Sequence, residues 1–201
     1  MKVLVVSAHP SPTSFLSTTR DAVLTDLVQS GHDVRHRDLY AEHFNPVFSA
    51  FERTNHNAPI AIKTNVFPEL VGHIEDLQWC EALVLVYPTW WSAQPAMLKG
   101  WFDRVLTRDV AWELPEGAAR IRPLLSNVKR LVVVTSHGSS KLVNAVQGES
   151  GKRIALRSVR LMLHIRTKTR WIGVYGMDNA NSEKRSASTA RVRRQVKRAL
   201  A

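Results

Sequence analysis

Runs of strand length, most of them nearly continuous in Val and Leu, recur along the chain: Lys2 to Ala8, Asp33 to Asp38, Glu81 to Tyr87, Lys129 to Ser136 and Thr169 to Gly176. A strand that is apolar on both faces has to be covered on both sides, which suits a parallel sheet flanked by helices. Helical patterns fill the intervals. After the first run Leu16, Val23, Leu24, Leu27 and Val28 fall on one helical face, with Ser14 as candidate N-cap and Gly31 as the stop. Leu70, Val71, Ile74 and Leu77 mark a second helix. A third carries Leu98, Trp101, Phe102, Val105 and Leu106, with Pro95 near its first turn. The pattern continues through Leu156, Val159 and Leu163 and closes on a basic helix from about Glu183 to Leu200. The alternation predicts an α/β protein with a doubly wound, five-stranded parallel sheet. Right-handed crossovers leave few topologies, and strand order 2-1-3-4-5 is expected. Two long connections, Ala41 to Thr64 and Asp109 to Val128, interrupt the alternation, and loops of that length are usually functional or interfacial.

A chain of 201 residues suits one domain spanning 1–201. Hydrophobic residues at 44% and charged residues at 22% exclude a disordered or fibrous chain. No apolar run approaches the roughly 18 to 20 residues of a membrane span. The opening MKVLVVSAHP has too short an apolar stretch for a signal peptide and reads as the first strand. Cys80 stands alone, which excludes an internal disulfide and fits a reducing cytoplasm; it is expected to be a small buried residue. The net charge of +11 is unevenly spread. From Gly151 onward 14 Lys and Arg face 2 acids, whereas residues 1–150 carry 14 basic and 15 acidic side chains. A solvated helical face is the bland explanation; dinucleotide phosphate, a membrane surface and nucleic acid are the anionic partners it leaves open.

In an open parallel sheet, ligands bind beyond the carboxyl ends of the strands where the strand order reverses, here between strands one and three. Ala8 to Phe15 follow the first strand and offer hydroxyls, the His9 imidazole and the free amides of a helix start, a phosphate site that needs no lysine. Simple capping by Ser14 is the plain alternative. Pro88, Thr89, Trp90, Trp91 and Ser92 follow the third strand; the two tryptophans can wall a flat ring system, or pack on a helix or a partner chain. The loop after strand four, Thr135-Ser136-His137-Gly138, adds small polar groups and a glycine that permits close backbone approach. Neither GxGxxG nor GxxxxGK[ST] occurs, so the usual signatures of a tightly held dinucleotide or nucleoside triphosphate are missing. No metal site is expected.

The motifs A-H-P-x-P-x-S-F at Ala8 to Phe15, D-L-Y-A-E-x-F-x-P-V at Asp38 to Val47 and Y-P-T-W-W-S-A-Q-P-A-M-L-K-G-W-F-D-R-V-L at Tyr87 to Leu106 together resemble the NAD(P)H:quinone oxidoreductase family of flavodoxin-like fold. The likeness runs from the first strand to at least Gly138. It implies a bound flavin, FAD or FMN. His9, Ser14, Phe15 and Leu16 would hold its phosphate, Pro88, Thr89, Trp90 and Trp91 would lie along the ring, and Thr135, Ser136, His137 and Gly138 would border the other edge. NAD(P)H would be the electron donor and a quinone-like small molecule the acceptor, the two using one pocket in turn. The resemblance also implies a homodimer with the site at the junction, for which Trp101, Phe102 and the two long connections are the expected pairing elements. Departures bear on reactivity. Animal-type relatives carry a Tyr and a His after strand four, and Ser139 to Ser150 here has neither; His137 or Lys141 would have to substitute, His137 being the candidate catalytic residue. Leu16 stands where relatives often have Asn.

The expectation is therefore a cytoplasmic flavoenzyme reducing quinones by hydride transfer. The alternative is an accessory or regulatory flavoprotein subunit docking on another protein. A peripheral protein or membrane contact is compatible with the basic carboxyl-terminal part, and a nucleic acid partner is not expected.

Overall fold

A computed structural model describes residues Met1–Ala201. Five parallel strands build the central sheet: β1 (Lys2–Ser7), β2 (Asp33–Asp38), β3 (Ala82–Pro88), β6 (Arg130–Ser136) and β7 (Lys168–Val174), in the order β2-β1-β3-β6-β7. Counting the parallel strands alone, this is the expected 2-1-3-4-5 order. The fourth and fifth strands of the chain, β4 (Trp112–Glu113) and β5 (Arg122–Pro123), form a separate two-residue antiparallel pair inside the second long connection.

Each face of the sheet carries its own core. On one side Val3, Val5, Val84, Val86, Val132 and Val134 pack beneath α1 (Phe15–Gln29) and α8 (Ser182–Leu200), which bring Leu16, Val23, Leu27, Val192, Val196 and Leu200. On the other side Leu4, Val6, Leu83, Leu85, Tyr87, Leu131 and Val133 pack against α4 (Val71–Trp79) and α5 (Ala96–Val105). Strand alternation explains the division, since successive side chains point to opposite faces. Cys80 is fully buried between these elements, its Sγ donating to the Leu77 carbonyl at 3.4 Å, and burial pushes its thiol up to about 12.

Three expectations need correction. Val28 is exposed rather than on the buried face of α1, because the face in contact with the sheet turns through Thr19 and Arg20 and leaves Val28 beyond its edge. The helix expected around Leu156, Val159 and Leu163 is not regular. Short helices α6 (Lys141–Val146) and α7 (Ser150–Arg153) lead into one π turn (Ile154–Ser158) and one 3-10 turn (Val159–Met162), although Val159 and Leu163 are buried as the pattern required. Trp101 and Phe102 are buried in the core of their own chain and cannot serve as a pairing surface; the indole Nε1 of Trp101 donates to His73 Nδ1 at 3.4 Å.

The first long connection folds into α2 (Ala50–Thr54) and α3 (Ile60–Val66) and is fixed to α5 by charge. Glu52, 3% exposed, caps its own helix through Ser49 and accepts from Arg104 Nε at 2.9 Å, with Lys63 Nζ 3.2 Å away. Arg104, 1% exposed, also donates to the Asn45 carbonyl and to Glu69, and Lys63 donates to the Arg104 carbonyl at 2.6 Å. Every buried charge in the cluster has an opposite charge and further hydrogen bonds, the condition under which such a pair is tolerated. Gly100 allows this packing, since a Cβ there would lie 2.2 Å from the Pro46 carbonyl oxygen.

Replacing Arg104 by Met leaves Glu52 with a buried charge and only Lys63 to balance it. Arg104→Met should cost about 3–5 kcal/mol in urea unfolding, and the Glu52→Gln/Arg104→Met double variant should recover part of that loss. His73 offers a second test. Burial lowers its pKa from 6.5 to about 4. The unfolded chain then binds a proton that the folded one resists, so stability should fall as pH drops from 6.5 toward 4, and His73→Gln should flatten that slope.

Candidate functional site

The carboxyl ends of β1, β3 and β6 present three loops to one crevice, at the point where the chain leaves β1 toward β2 on one side and leaves β3 toward β6 on the other. The first loop is closed by hydroxyls. Ser14 caps α1 by accepting from the Ser17 amide at 3.1 Å, and Ser17 Oγ donates to the Ser11 carbonyl at 2.7 Å. The first turn of α1 carries no acid, so the positive end of the helix is not neutralised from within. Leu16 is buried in the core, so only its backbone can face a ligand, while Phe15 is half-buried beside the same core. The Ser11 amide donates to His9 Nδ1 at 3.0 Å, and burial lowers the His9 pKa, which favours the neutral ring. His9 approaches the second loop, its ring centroid 6.5 Å from that of Trp90.

That second loop is a two-residue reversal. Trp90 and Ala93 exchange backbone hydrogen bonds of 3.1 and 3.0 Å, and the two residues between them, Trp91 and Ser92, both have positive φ, 49° and 61°. This is the φ pattern of a type I′ turn, which is normally filled by Asn-Gly because residues with a Cβ are strained there. The protein holds the strained turn from behind. The Ser92 carbonyl accepts from the Gly151 amide at 2.8 Å and from Ser150 Oγ at 2.6 Å, and Ser92 Oγ donates to Gln147 at 3.0 Å. Gln94 Nε2 adds a bond to the Gly151 carbonyl at 2.8 Å. The turn therefore presents Trp91 with its side chain wholly in solvent, while Trp90 is 43% exposed.

The third loop joins through Thr89, whose amide donates to the Ser136 carbonyl at 2.8 Å and whose hydroxyl lies 2.8 Å from that of the buried Thr135. Pro88, at the end of β3, is buried beneath it. His137 is 5% exposed and stacks on Tyr175, with centroids 4.4 Å apart. Asn144 fixes its tautomer. The Asn144 amide nitrogen donates to Ser139 Oγ and to the Ser140 carbonyl, which leaves its oxygen to accept from His137 Nδ1–H at 2.7 Å. Desolvation lowers the His137 pKa against the opposing pull of Asn144, and the buried Nε2 has no hydrogen-bond partner. Gly138 lies against the loop after β7, where a Cβ would fall 2.2 Å from Asp178 Oδ2 and displace that carboxylate. Thr89, Trp91, Ser92, His137, Gly138 and Asn144 line a cleft of ≈ 240 Å³.

The twelve sequence-derived residues thus lie at the carboxyl ends of β3 and β6, in the loops after β1, β3 and β6, and in the first turn of α1. The clamp of Gln147, Ser150 and Gly151, the Asn144–His137 bond and the Tyr175 stack were not anticipated. Gln147, Ser150 and Gly151 are small or polar, sit in a stretch without periodicity and gain meaning only once Ser92 adopts its turn.

Matched over residues 1–200 by the model of a family described as having a flavodoxin-like fold, the chain belongs to that family. Among curated proteins it is 30% identical to rat NAD(P)H dehydrogenase [quinone] 1 over 162 residues, 75% of this chain and 58% of that protein. The chain thus spans little more than half the length of that relative. Among solved structures it is similar to Smu.1420 from Streptococcus mutans UA159 (TM-score 0.81, 25% identity, covering 97% and 98% of the two chains) and to the NAD(P)H:quinone oxidoreductase from Methanothermobacter marburgensis (TM-score 0.75, 26% identity, covering 96% and 94%).

The clamped turn generates a test. Ser92→Gly removes a Cβ from a positive-φ position while keeping every bond made by the Ser92 carbonyl. It should stabilise the protein by about 0.5–1 kcal/mol in thermal or urea unfolding. Loss of stability would mean that the side-chain bond to Gln147 outweighs the backbone strain.

Proposed function

We propose that this protein is a flavin-dependent NAD(P)H oxidoreductase that reduces quinones or similar small acceptors by two-electron transfer, with donor and acceptor visiting one pocket in turn. The observation that carries the proposal is the convergence of an acid-free helix start with a clamped tryptophan turn at the reversal point of the sheet. The residues present fit the group. Ser14 and the amides of Phe15 and Leu16 suit a phosphate, and their hydrogen-bonding capacity does not depend on a titrating side chain. Trp90, Trp91 and the backbone of Pro88 and Thr89 suit a flat ring, with Thr135, Ser136, His137 and Gly138 along its far edge. A bound flavin, FMN or FAD, would supply the hydride chemistry, which no side chain in this crevice offers by itself.

The contribution of the chain is then binding, orientation and electrostatics. His9 remains neutral and contributes to the phosphate loop by hydrogen bonding rather than by charge. His137, neutral and fixed by Asn144, is the candidate catalytic side chain in a loop that lacks the Tyr and His of animal-type relatives. Its buried lone pair at Nε2 and its lowered pKa make it a hydrogen-bond acceptor at neutral pH rather than a cation. The names of the rat and Methanothermobacter relatives agree with this class of reaction. A single flavin-binding unit over residues 1–201 and a homodimer with the crevice at the junction complete the reading. Val47 and Phe51 of the first long connection, both exposed, now stand as the pairing candidates in place of Trp101 and Phe102.

Purified protein incubated with micromolar FMN or FAD should retain one of them through gel filtration and oxidise NADPH or NADH with a simple quinone. Ser14→Asp places a carboxylate among donors that suit a phosphate and should weaken flavin retention by tenfold or more, roughly the cost of losing one charge-assisted bond. Retention of neither flavin by the folded wild-type chain would overturn the proposal.

A further inference from the structure

At the edge of the sheet opposite the crevice, the chain carries a feature unrelated to flavin chemistry. From Ala155 to Arg170 there are five Lys and Arg and no Asp or Glu. This stretch is folded across the amino-terminal ends of β6 and β7. The His164 amide donates to the Val128 carbonyl and that of Lys168 to the Lys129 carbonyl at 3.1 Å. Arg160 closes the turn between them by donating to the carbonyls of Ile165 and Thr167. On this turn two large aliphatic side chains project into solvent, Leu161 at 62% and Ile165 at 85% exposure.

The charges around them are not balanced by the fold. Arg130 and Lys168 are register partners on adjacent strands, with Arg170 two residues further along the same face, and like charges so placed repel. The partners of these side chains are carbonyls and an amide: Arg130 donates to the Lys129 carbonyl and Arg170 to Gln195 Oε1. Arg157 and Arg166 are exposed. An unpaired surface cation or a single exposed Leu is ordinary. Two exposed aliphatic side chains beside cations that make no ion pair form a surface with matched apolar and anionic demands.

We propose that this end of the sheet docks reversibly on an anionic lipid bilayer, with Leu161 and Ile165 entering the acyl boundary while Arg157, Arg166, Lys168 and Arg170 meet headgroup phosphates. No helix of the protein is long and apolar enough to cross a membrane, so the contact is peripheral. A second copy of the chain is a poor occupant, because two-fold pairing would set this cationic surface against itself. Nucleic acid is disfavoured because the projecting side chains are aliphatic, whereas single-strand binding surfaces stack bases on aromatic rings. Docked this way, the carboxyl-terminal edge of the sheet, and with it the crevice, faces away from the bilayer. The inference stands independently of the flavin proposal.

The test is cosedimentation of the full-length chain with phosphatidylcholine vesicles, with and without roughly one-third phosphatidylglycerol. Binding should require the anionic lipid and fade between about 0.05 and 0.5 M salt, as screening shortens the reach of the cations. Leu161→Ser/Ile165→Ser should lower partitioning at least about tenfold, from lost apolar burial. Arg166→Glu/Lys168→Glu should lower it about 25-fold or more. Each substituted side chain is exposed, so melting temperature and any quinone reductase activity should not change; if one pair fails to fold, Arg157→Gln/Arg170→Gln repeats the charge test from separate elements. Three results would overturn the proposal: equal binding to neutral vesicles, no binding to anionic ones, or full binding by the Leu161/Ile165 variant. Tighter retention by duplex DNA than by anionic vesicles at matched salt would also overturn it, in favour of a nucleic acid partner.

Discussion

Parallel pairing is the constraint from which the rest of this structure follows. Because β1, β2, β3, β6 and β7 all run the same way, every carboxyl end lies on one edge of the sheet and every return path must cross a face. The crossing segments bury both faces and account for the runs of Val and Leu in the strands. The shared edge gathers loops from distant parts of the chain, so that His9 approaches Trp90 and Thr89 meets Thr135 without any local sequence relation. The opposite edge gathers Arg130, Lys168 and the Leu161–Ile165 turn in the same way, and the two surfaces are kept a strand length apart.

Around this frame the protein uses polar groups in two different ways. At α5 they are buried and fully compensated: Arg104, Glu52 and Lys63 hold the first long connection in place, and the arrangement is specific because any missing partner leaves a charge without water. At the crevice they support a backbone that is itself strained. The Trp91–Ser92 turn keeps its shape because Gly151, Ser150 and Gln147 hold it from behind, and that support comes from the segment between β6 and β7 where helical periodicity fails. The irregular π and 3-10 turns begin directly after these clamping residues, which suggests that anchoring the tryptophan loop and continuing a regular helix are competing demands on the same stretch.

The sheet and its order were legible because alternation of strand-length apolar runs with helical patterns leaves few right-handed topologies, and the loops at the carboxyl edge could then be named residue by residue. Side-chain roles were less legible. Helical periodicity placed Val28 in the core because it does not fix how wide the buried face of a helix is, and it could not tell whether the apolar Trp101 and Phe102 pack within the chain or against a partner. Gly138 was identified as a glycine that matters, but the group packed against it, Asp178, arrives from a loop forty residues later in the chain. The tautomer of His137 depends on Asn144, whose own orientation depends on Ser139 and Ser140, a chain of hydrogen bonds that no spacing rule encodes.

Cys80 is the only thiol in the chain, and it is buried with its pKa pushed up to about 12. At neutral pH almost none of it is thiolate, the form that attacks disulfides and peroxides. An oxidoreductase of the kind proposed would meet reactive by-products of turnover beside oxygen. This one offers them no accessible sulfur nucleophile of the cysteine kind, so it can neither form intermolecular disulfides nor climb toward sulfinic acid while folded. Protection of the thiol is therefore tied to the fold: it becomes reactive only when the core that hides it opens.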